Sequence, residues 1–588
     1  MRLLAPSPTI SMRSELSHST PFITVRLLRA TARFVDAYGW ILIALFLAVS
    51  GWFLLNDLGS RHLDHDELYT FYIARAPTLR QLFELTRTVD LHPPLSYLLV
   101  RGSLGIFGAT AWSCRLPSIL AFLATLVLIF RLVTQILSPL YGTISVLFFW
   151  SVALTYQPDQ ARPYSLLLCF SAFMLASWYR AIASGDSYTS RNSRFLTLLS
   201  LTMGGCALLL SHVLGVLPYA SFLAAELVRF SMRRKSDWQL WIALLTPAIS
   251  ILTYLPLIRH RSGILFTDEY TPTPARIFNF YWDSLRFVAV PLALVALILC
   301  LWPARRTALA EKPQAAPAPP RTVLYPLAFL LLCMALIPVG IAIVFAHTGT
   351  AFFERYGVVA FLPIAIIPSL LLGFRTQRNH MAGLTVALAL STILFLNTSG
   401  KVWLIQQLGN LTPPAVARHI LNALTLPKLL IEPVKPMAPP ELLKALESAR
   451  PLSNLDGIDP DLPLVANTGL TFLEMDRQAS AELANRLYLL NDRDFAAAIA
   501  HDTVFENYDR LKKVFPIRGK VEPYCAFVGE HPRFVVVGAY NHPQGWLLKK
   551  LDMDGANLKV IGTYPGITED AQVYEVTVAN FGCMLRPR

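Results

Sequence analysis

The sequence predicts an α-helical polytopic membrane protein with about 11 transmembrane helices and a C-terminal soluble α/β domain. Three observations carry that expectation. Of 588 residues, 54% are hydrophobic and only 15% charged, with a mean hydropathy of +0.47, the profile of a chain that lives in a bilayer. Apolar segments of about 17 to 25 residues recur along the first two thirds, each long enough to cross a hydrocarbon core of roughly 30 Å. Beyond residue 462 the pattern changes to short β-type runs alternating with amphipathic helical stretches.

The net charge of +13 and the pI of about 9.4 do not point to nucleic acid, because Lys and Arg fall in short patches between apolar segments. That is the pattern of the positive-inside rule. Residues 1–34 form a basic cytoplasmic N-terminus, with Arg2, Arg13, Arg26, Arg29 and Arg33 and almost no acid. The first span, Gly39 to Leu55, lacks a small-residue cleavage site and is read as uncleaved. Further spans are expected near 115–137, 139–156, 163–183, 195–211, 213–230, 239–258, 284–303, 322–347, 357–374 and 381–398.

The segment Leu95 to Gly108 is apolar but short, with Arg101 in its middle. Counted as a span, it would move the basic patches Arg191 to Arg194, Arg233-Arg234-Lys235, Arg305 to Arg321 and Arg375 to Arg378 outside. The charge rule therefore favours eleven spans and makes 95–108 a helix at the outer face, within a long external loop over 58–114. Residues 35–398 then form the membrane domain. Residues 399–462, rich in Pro, read as a linker along the membrane, and 463–588 as an external α/β domain. In that domain LPLVAN, RFVVVGAY, NLKVIGTY and VYEVTV are expected strands, with helices over Phe472 to Asn491 and Leu547 to Asp552. It has no GxGxxG, P-loop or nucleophile elbow, and the chain shows no internal repeat.

The same parity brings several polar groups to the external side. The stretch Leu63 to Pro94 carries Asp64, Asp66 and Glu67 at its start and His92-Pro93-Pro94 at its end. Tyr156 to Tyr164, Ser211-His212, the loop 259–283 and His347 to Tyr356 join it there. Ionisable groups converging on one face at span ends mark a candidate site. On a helix Asp66 and Glu67 point about 100° apart, so one is free to approach a substrate while the other binds a metal, a neighbouring helix or a backbone amide. A carboxylate near a hydroxyl or amine is the simplest general base; Asp64 reads as a solvated boundary charge. Arg162 and Arg355 are cations with fork geometry suited to phosphate, on the side that positive anchors avoid.

The seven cysteines show no CxxC or Cys/His metal spacing. Cys525 and Cys583 are able to pair if the tail faces an oxidising compartment. A divalent ion (Mg, Mn or Zn) held by Asp159 with Asp66 or Glu67 is a candidate, although no loop in the sequence demands it.

Taken in order, Asp66-Glu67 after the first span, His92-Pro93-Pro94-Leu95 with Tyr97, Arg115-Leu116-Pro117-Ser118, Ala161-Arg162-Pro163-Tyr164, His212 and Arg355-Tyr356 resemble the motifs of polyprenyl-phosphate-dependent glycosyltransferases of the GT-C superfamily. Bacterial protein mannosyltransferases and lipid A aminoarabinose transferases are the similar branches. The resemblance covers about residues 40 to 400. It implies a GT-C-like fold in the bacterial cytoplasmic membrane and inverting transfer of a sugar from a polyprenyl-phosphate donor to a lipid, glycan or protein acceptor at the periplasmic face. It further implies Asp66 as base, with Glu67 in the catalytic pair, and Arg355 with Tyr356 at the leaving phosphate. Arg162, His92, Tyr97 and His212 would line the donor pocket.

One departure stands out: the family commonly has Glu directly before Ala-Arg, where this chain has Gln160, with Asp159 one residue earlier. Metal binding through that carboxylate is thereby put in question. The tail is open to reading as an acceptor-selecting, folding or docking module. Rival functions are a secondary transporter, which would place its charges near the midplane of broken helices, and an oligosaccharide ligase using a preassembled lipid-linked glycan.

Overall fold

The computed structural model describes residues 20–60, 62–90, 92–153, 160–184, 191–254, 270–302, 319–348, 350–397, 455, 458–564 and 571–578. Asp159, Cys583, the first nineteen residues and nearly all of the 399–462 linker lie outside the described residues, as do parts of the loops after residues 254 and 302.

A long helix α1 (Thr20–Ser60) leads into the long loop expected to be external, built of α2 (His65–Ala74), α3 (Leu79–Thr88) and α4 (Leu95–Phe107). Helices α5 (Ala111–Ile136), α6 (Pro139–Ala153), α7 (Tyr164–Ser184), α8 (Arg191–Ser211), α9 (Val216–Arg233) and α10 (Trp238–Leu245) follow. The membrane part closes with α11 (Pro274–Leu285), α12 (Ala289–Leu301), α13 (Arg321–Ala335), α14 (Ile337–Thr348), α15 (Phe361–Arg375) and α16 (His380–Asn397). Among the described residues, seven helices are long and apolar enough to cross a membrane. The pair α13 and α14, bent by 44° at a short break, makes an eighth if counted as one span. The other expected spans correspond to shorter apolar helices at Pro139–Ala153, Trp238–Tyr254 and His380–Phe395.

Contacts between these helices are close. A Cβ at Gly142 of α6 would come within 2.9 Å of the Phe130 carbonyl of α5, so glycine sets the spacing of that pair. Asp36 of α1 accepts from the Leu140 amide at 2.8 Å and from Ser138 Oγ at 2.9 Å. One carboxylate thus caps the start of α6 and pins the first helix to it.

The spans are less free of charge than the sequence suggests. Within α9, Glu226 and Arg229 pair at 2.6 Å, and Trp178 Nε1 donates to the same carboxylate. Both charged groups are buried, and Arg229 also lies 3.8 Å from Asp237, so the charges satisfy one another near the end of α9.

The segment 95–108 is the 13-residue α4, too short to cross. Its Arg101 donates to the carbonyls of Ala74 at 3.0 Å and Ala76 at 2.5 Å, the C-terminal end of α2. A guanidinium at the negative end of a helix is favourable there.

The C-terminal part is one six-stranded sheet of order β3-β2-β1-β4-β6-β5, with β1 (Leu464–Ala466), β2 (Leu487–Asn491), β3 (Lys520–Pro523), β4 (Arg533–Gly538), β5 (Asn557–Tyr564) and β6 (Ala571–Thr577). The first four strands are parallel, and β5 and β6 run as an antiparallel pair at the edge. The expected long helix over Phe472 to Asn491 is corrected. It ends as α17 (Gly469–Gln478), a short turn of helix follows, and Leu487–Asn491 is the strand β2. The run LYLLN is buried on both faces, so it lacks the alternation that would have told it from a helix.

Candidate active site

The site is organised by α2. Asp64 is its N-cap: Oδ1 accepts from the Glu67 amide at 2.8 Å, and the Glu67 side chain accepts in return from the Asp64 amide at 3.1 Å. This capping box sets α2 on the end of the loop and gives Asp66 and Glu67 different neighbours. Asp64 is therefore not the solvated charge its position suggests. Its other oxygen accepts from Gln160 Nε2 at 3.0 Å. Burial, with the negative charges of Glu67 and Asp66, pushes the Asp64 carboxyl up to about 7.

Glu67 is 1% exposed and faces inward. Arg115 of the RLPS motif grips it in two bonds, Nε to Oε1 at 2.6 Å and Nη2 to Oε2 at 2.5 Å, and the Ala161 amide donates to it at 2.8 Å. Of the options the sequence leaves for the pair, Glu67 takes the neighbouring helix and the backbone amide. No oxygen of it is turned toward the open site.

Asp66 points the other way. Its Oδ2 meets Arg355 Nη1 at 2.8 Å, its Oδ1 lies 3.6 Å from His65 Nδ1, and its carbonyl accepts from Arg162 Nη1 at 3.1 Å. Burial acts to raise the Asp66 carboxyl, but the Arg355 and Arg162 guanidiniums outweigh it and hold the group well below the usual carboxylate range. Arg162 also pairs with Asp90 at 2.9 Å, and Asp90 Oδ2 accepts from Tyr97 Oη at 2.5 Å. Arg162 is thus fixed between two parts of the long loop that follows α1.

Above these charges lies an aromatic wall. His92 and His212 meet edge to face with centroids 4.8 Å apart, Tyr164 lies 5.2 Å from His212, and Tyr356 lies 6.3 Å from both His212 and Tyr164. His92 Nδ1 is tied to the Asp90 carbonyl at 2.5 Å, and His212 Nδ1 accepts from the Leu214 amide at 3.0 Å. Burial holds both imidazoles below their ordinary range, against the opposing pull of Asp90 on His92 and with Arg162 lowering both, so both are neutral near pH 7. The Nε2 atoms of both rings, and the Nε atoms of Arg162 and Arg355, are buried without a hydrogen-bond partner. Buried polar atoms left unused in a well-formed fold require an explanation, and four of them converge here.

The structure therefore brings together Asp66, Arg355, Tyr356, Arg162, His92, Tyr97 and His212. It sets Glu67 apart as a buried anchor. Sequence reasoning misses Asp90, whose only signal is an acidic residue two places before His92, and it misses Tyr164 as a wall of the site. Among the described residues no three His, Cys, Asp or Glu side chains come together in a way that could hold a metal. Asp66 and Glu67 each face a guanidinium, which opposes a second cation, and Asp159 lies outside the described residues.

Fold and site define a polytopic membrane protein with a polar cluster where the span ends meet a long loop and an α/β domain. Residues 91–258 match the family model described as dolichyl-phosphate-mannose-protein mannosyltransferase. That stretch holds the HPPL, RLPS and ARPY motifs and His212, so the match and the motif resemblance to polyprenyl-phosphate-dependent glycosyltransferases agree. No curated protein matches the chain. Among solved structures it is similar to ArnT from Cupriavidus metallidurans in the apo state, with TM-score 0.49 and 13% identity over 92% of this chain and 98% of that one. The same protein bound to undecaprenyl phosphate gives TM-score 0.46 and 13% identity over 94% and 100%.

Proposed function

We propose that this protein is a membrane glycosyltransferase that moves a sugar from a polyprenyl-phosphate donor to an acceptor at the external face of the cytoplasmic membrane, with inversion. The family match over residues 91–258 supports the class. The observation that carries the mechanism is the Asp66–Arg355 pair at 2.8 Å beside two buried guanidinium N–H groups and two neutral imidazoles with unused nitrogens.

These groups supply what the reaction needs at each atom. The donor phosphate develops negative charge as the anomeric C–O bond breaks, and preorganised donors at that position lower the barrier most. Arg355 and Arg162 are those donors. His212, whose Nδ1 accepts from the Leu214 amide, carries its hydrogen on Nε2 for a phosphate or sugar oxygen, whereas His92, whose Nδ1 donates to the Asp90 carbonyl, presents an accepting Nε2 to a sugar hydroxyl. The acceptor hydroxyl or amine attacks the anomeric carbon from the face opposite the phosphate, and its proton passes to Asp66. In the unliganded site Arg355 neutralises Asp66. When the phosphate draws Arg355 away, the carboxylate loses its partner and becomes a stronger base at the moment it is needed. Tyr97 and Asp90 hold Arg162 in place, and Glu67 with Arg115 holds α2.

The disulfide at Cys525 supports an oxidising, external location for the tail. No step is routed through a metal. Asp66, Glu67 and Asp90 each face an arginine, and the Gln160 amide is matched to Asp64 where a Glu would repel it.

The test is transfer from labelled polyprenyl-phosphate sugars to candidate acceptors by purified protein. Asp66→Asn is expected to lower kcat by at least about 100-fold, as for loss of a positioned general base, with donor binding retained; transfer at the wild-type rate sinks the mechanism. EDTA in the same assay is expected to leave wild-type activity intact, and a loss restored by added Mg, Mn or Zn would show that a metal takes part.

A further inference from the structure

Helix α2 is anchored at three places, and one of the anchors comes from the far end of the chain. Arg115 of α5 grips Glu67, and Arg101 of α4 donates to the carbonyls of Ala74 and Ala76 at the other end of the helix. The third anchor is Glu474 of α17, whose Oε1 accepts from the His65 amide at 3.0 Å across 409 residues of sequence. Beside it Phe505 meets the His65 ring edge-on at 5.8 Å, and Phe515 lies 5.4 Å from Tyr69 and 5.1 Å from Tyr72. Arg477 lies over the Phe71 ring at 5.3 Å. Glu474, Arg477, Phe505 and Phe515 all belong to the tail domain.

The ring contacts by themselves dock the tail on α2, and the buried carboxyl group does something more specific. His65 is the first residue of α2, so its amide is one of the donors that a helix leaves without an internal partner. That amide is buried, where going unpaired would be costly, and the local capping box is already used: Asp64 takes the Glu67 amide, and Glu67 takes the Asp64 amide. A carboxyl oxygen at the positive end of the helix suits the place. Asp66 therefore lies between two buried anchors, the Glu474 bond to the residue before it and the Arg115 grip on the residue after it. Its own side chain is held by Arg355, the partner that the donor phosphate draws away. From that moment the aim of Asp66 rests on its backbone. Held by Arg115 alone, the first turn of α2 would be free to pivot about Glu67; held at both neighbours, it is not.

We propose that Glu474 is a positioning residue for the transfer. Through the His65 amide it keeps Asp66 in line with the incoming acceptor, and the tail domain thereby completes the active site. The inference rests on the glycosyltransferase reading above, and Glu474 itself touches none of the reacting atoms. A misplacement of about 1 Å at a reacting group costs on the order of 100-fold in rate, so one bond to one amide is felt in turnover as well as in stability.

The test uses full-length protein and a labelled polyprenyl-phosphate sugar, with kcat expressed per donor-binding site so that unfolded molecules are not counted. Glu474→Ala is expected to lower kcat about 10-fold or more with the donor KM unchanged. Glu474→Gln, whose amide oxygen still accepts from the His65 amide, is expected to recover most of that loss. In an Asp66→Asn background Glu474→Ala is expected to cost less than about 2-fold further, because a group that acts through Asp66 has nothing left to position. Val536→Ala, in the core of the tail sheet away from α2, is the stability control: it is expected to lower the melting temperature and leave kcat per site unchanged. If Glu474→Ala gives no folded protein, Glu474→Leu takes its place, and failure of both to fold would make the contact purely structural and overturn the proposal. Wild-type kcat in Glu474→Ala, an equal loss in Glu474→Gln or in Val536→Ala, or losses that multiply in the double variant would overturn it as well. Wild-type transfer by Asp66→Asn would instead bring down the underlying reading.

Discussion

Glu67 and Asp66 are adjacent, and their environments separate them completely. Glu67 is sealed against Arg115, each at 1% exposure, while Asp66 keeps its carboxylate beside open donors. Removing one partner of a buried pair strands the other charge and costs about 3–5 kcal/mol. Glu67→Ala is therefore expected to lower the melting temperature sharply and activity with it, whereas Asp66→Asn loses turnover with a far smaller change in melting. A double variant, Glu67→Leu with Arg115→Met, should recover part of the lost stability, because it leaves no charge stranded. Asp64 adds a pH dependence of its own. Its folded-state pKa of about 7 lies above that of an unfolded chain, near 3.9. The contribution of this group to stability is thus fully present below about pH 4 and lost as pH rises through about 7. Thermal melts of wild type are expected to fall more between about pH 5 and pH 8 than those of Asp64→Asn, and parallel curves would show that Asp64 is not the titrating group.

At the scale of elements, what was legible in the sequence follows from which signals are local. That α4 is a short helix and not a full span was readable because its apolar run is short and carries Arg101 in its middle, and the structure adds that this arginine closes the end of α2. Arg162, His92, His212 and Arg355 were readable as a group because charge counting puts their span ends on one side. Asp90 was not, since a lone acid in a polar loop carries no periodicity, and its partner Arg162 lies 72 residues on. The buried Glu226–Arg229 pair was likewise hidden in an otherwise apolar run. The strand β2 was lost for a different reason. A fully buried strand in a parallel sheet has an apolar run with no alternation, and only the neighbours that pair with it, β1 and β3, give it its state. The contacts of α2 with the tail bridge some 400 residues and left no trace in local pattern at all.

At the scale of the whole molecule, the chemistry open to the site depends on which side of the membrane it occupies. Two independent features agree. The basic residues Arg194, Arg229, Arg375 and Arg378 are engaged with Asp237, Glu226 and backbone carbonyls at the ends of spans away from α2, where positive charge marks the cytoplasm. The tail that packs on α2 carries the disulfide-bonded Cys525, which belongs in an oxidising compartment. Both support the proposed external position of Asp66. This is a strong constraint on chemistry, because nucleotide sugars are cytoplasmic and a lipid-carried donor is the form of activated sugar that reaches the other face. Single cysteines introduced at exposed positions test the assignment directly. Arg80→Cys in α3 is expected to react with a membrane-impermeant maleimide in intact cells, and Lys235→Cys, after α9, only once the membrane is opened. The reverse labelling would put Asp66 on the cytoplasmic side, and a polyprenyl-phosphate donor would no longer be the sugar source that the site requires.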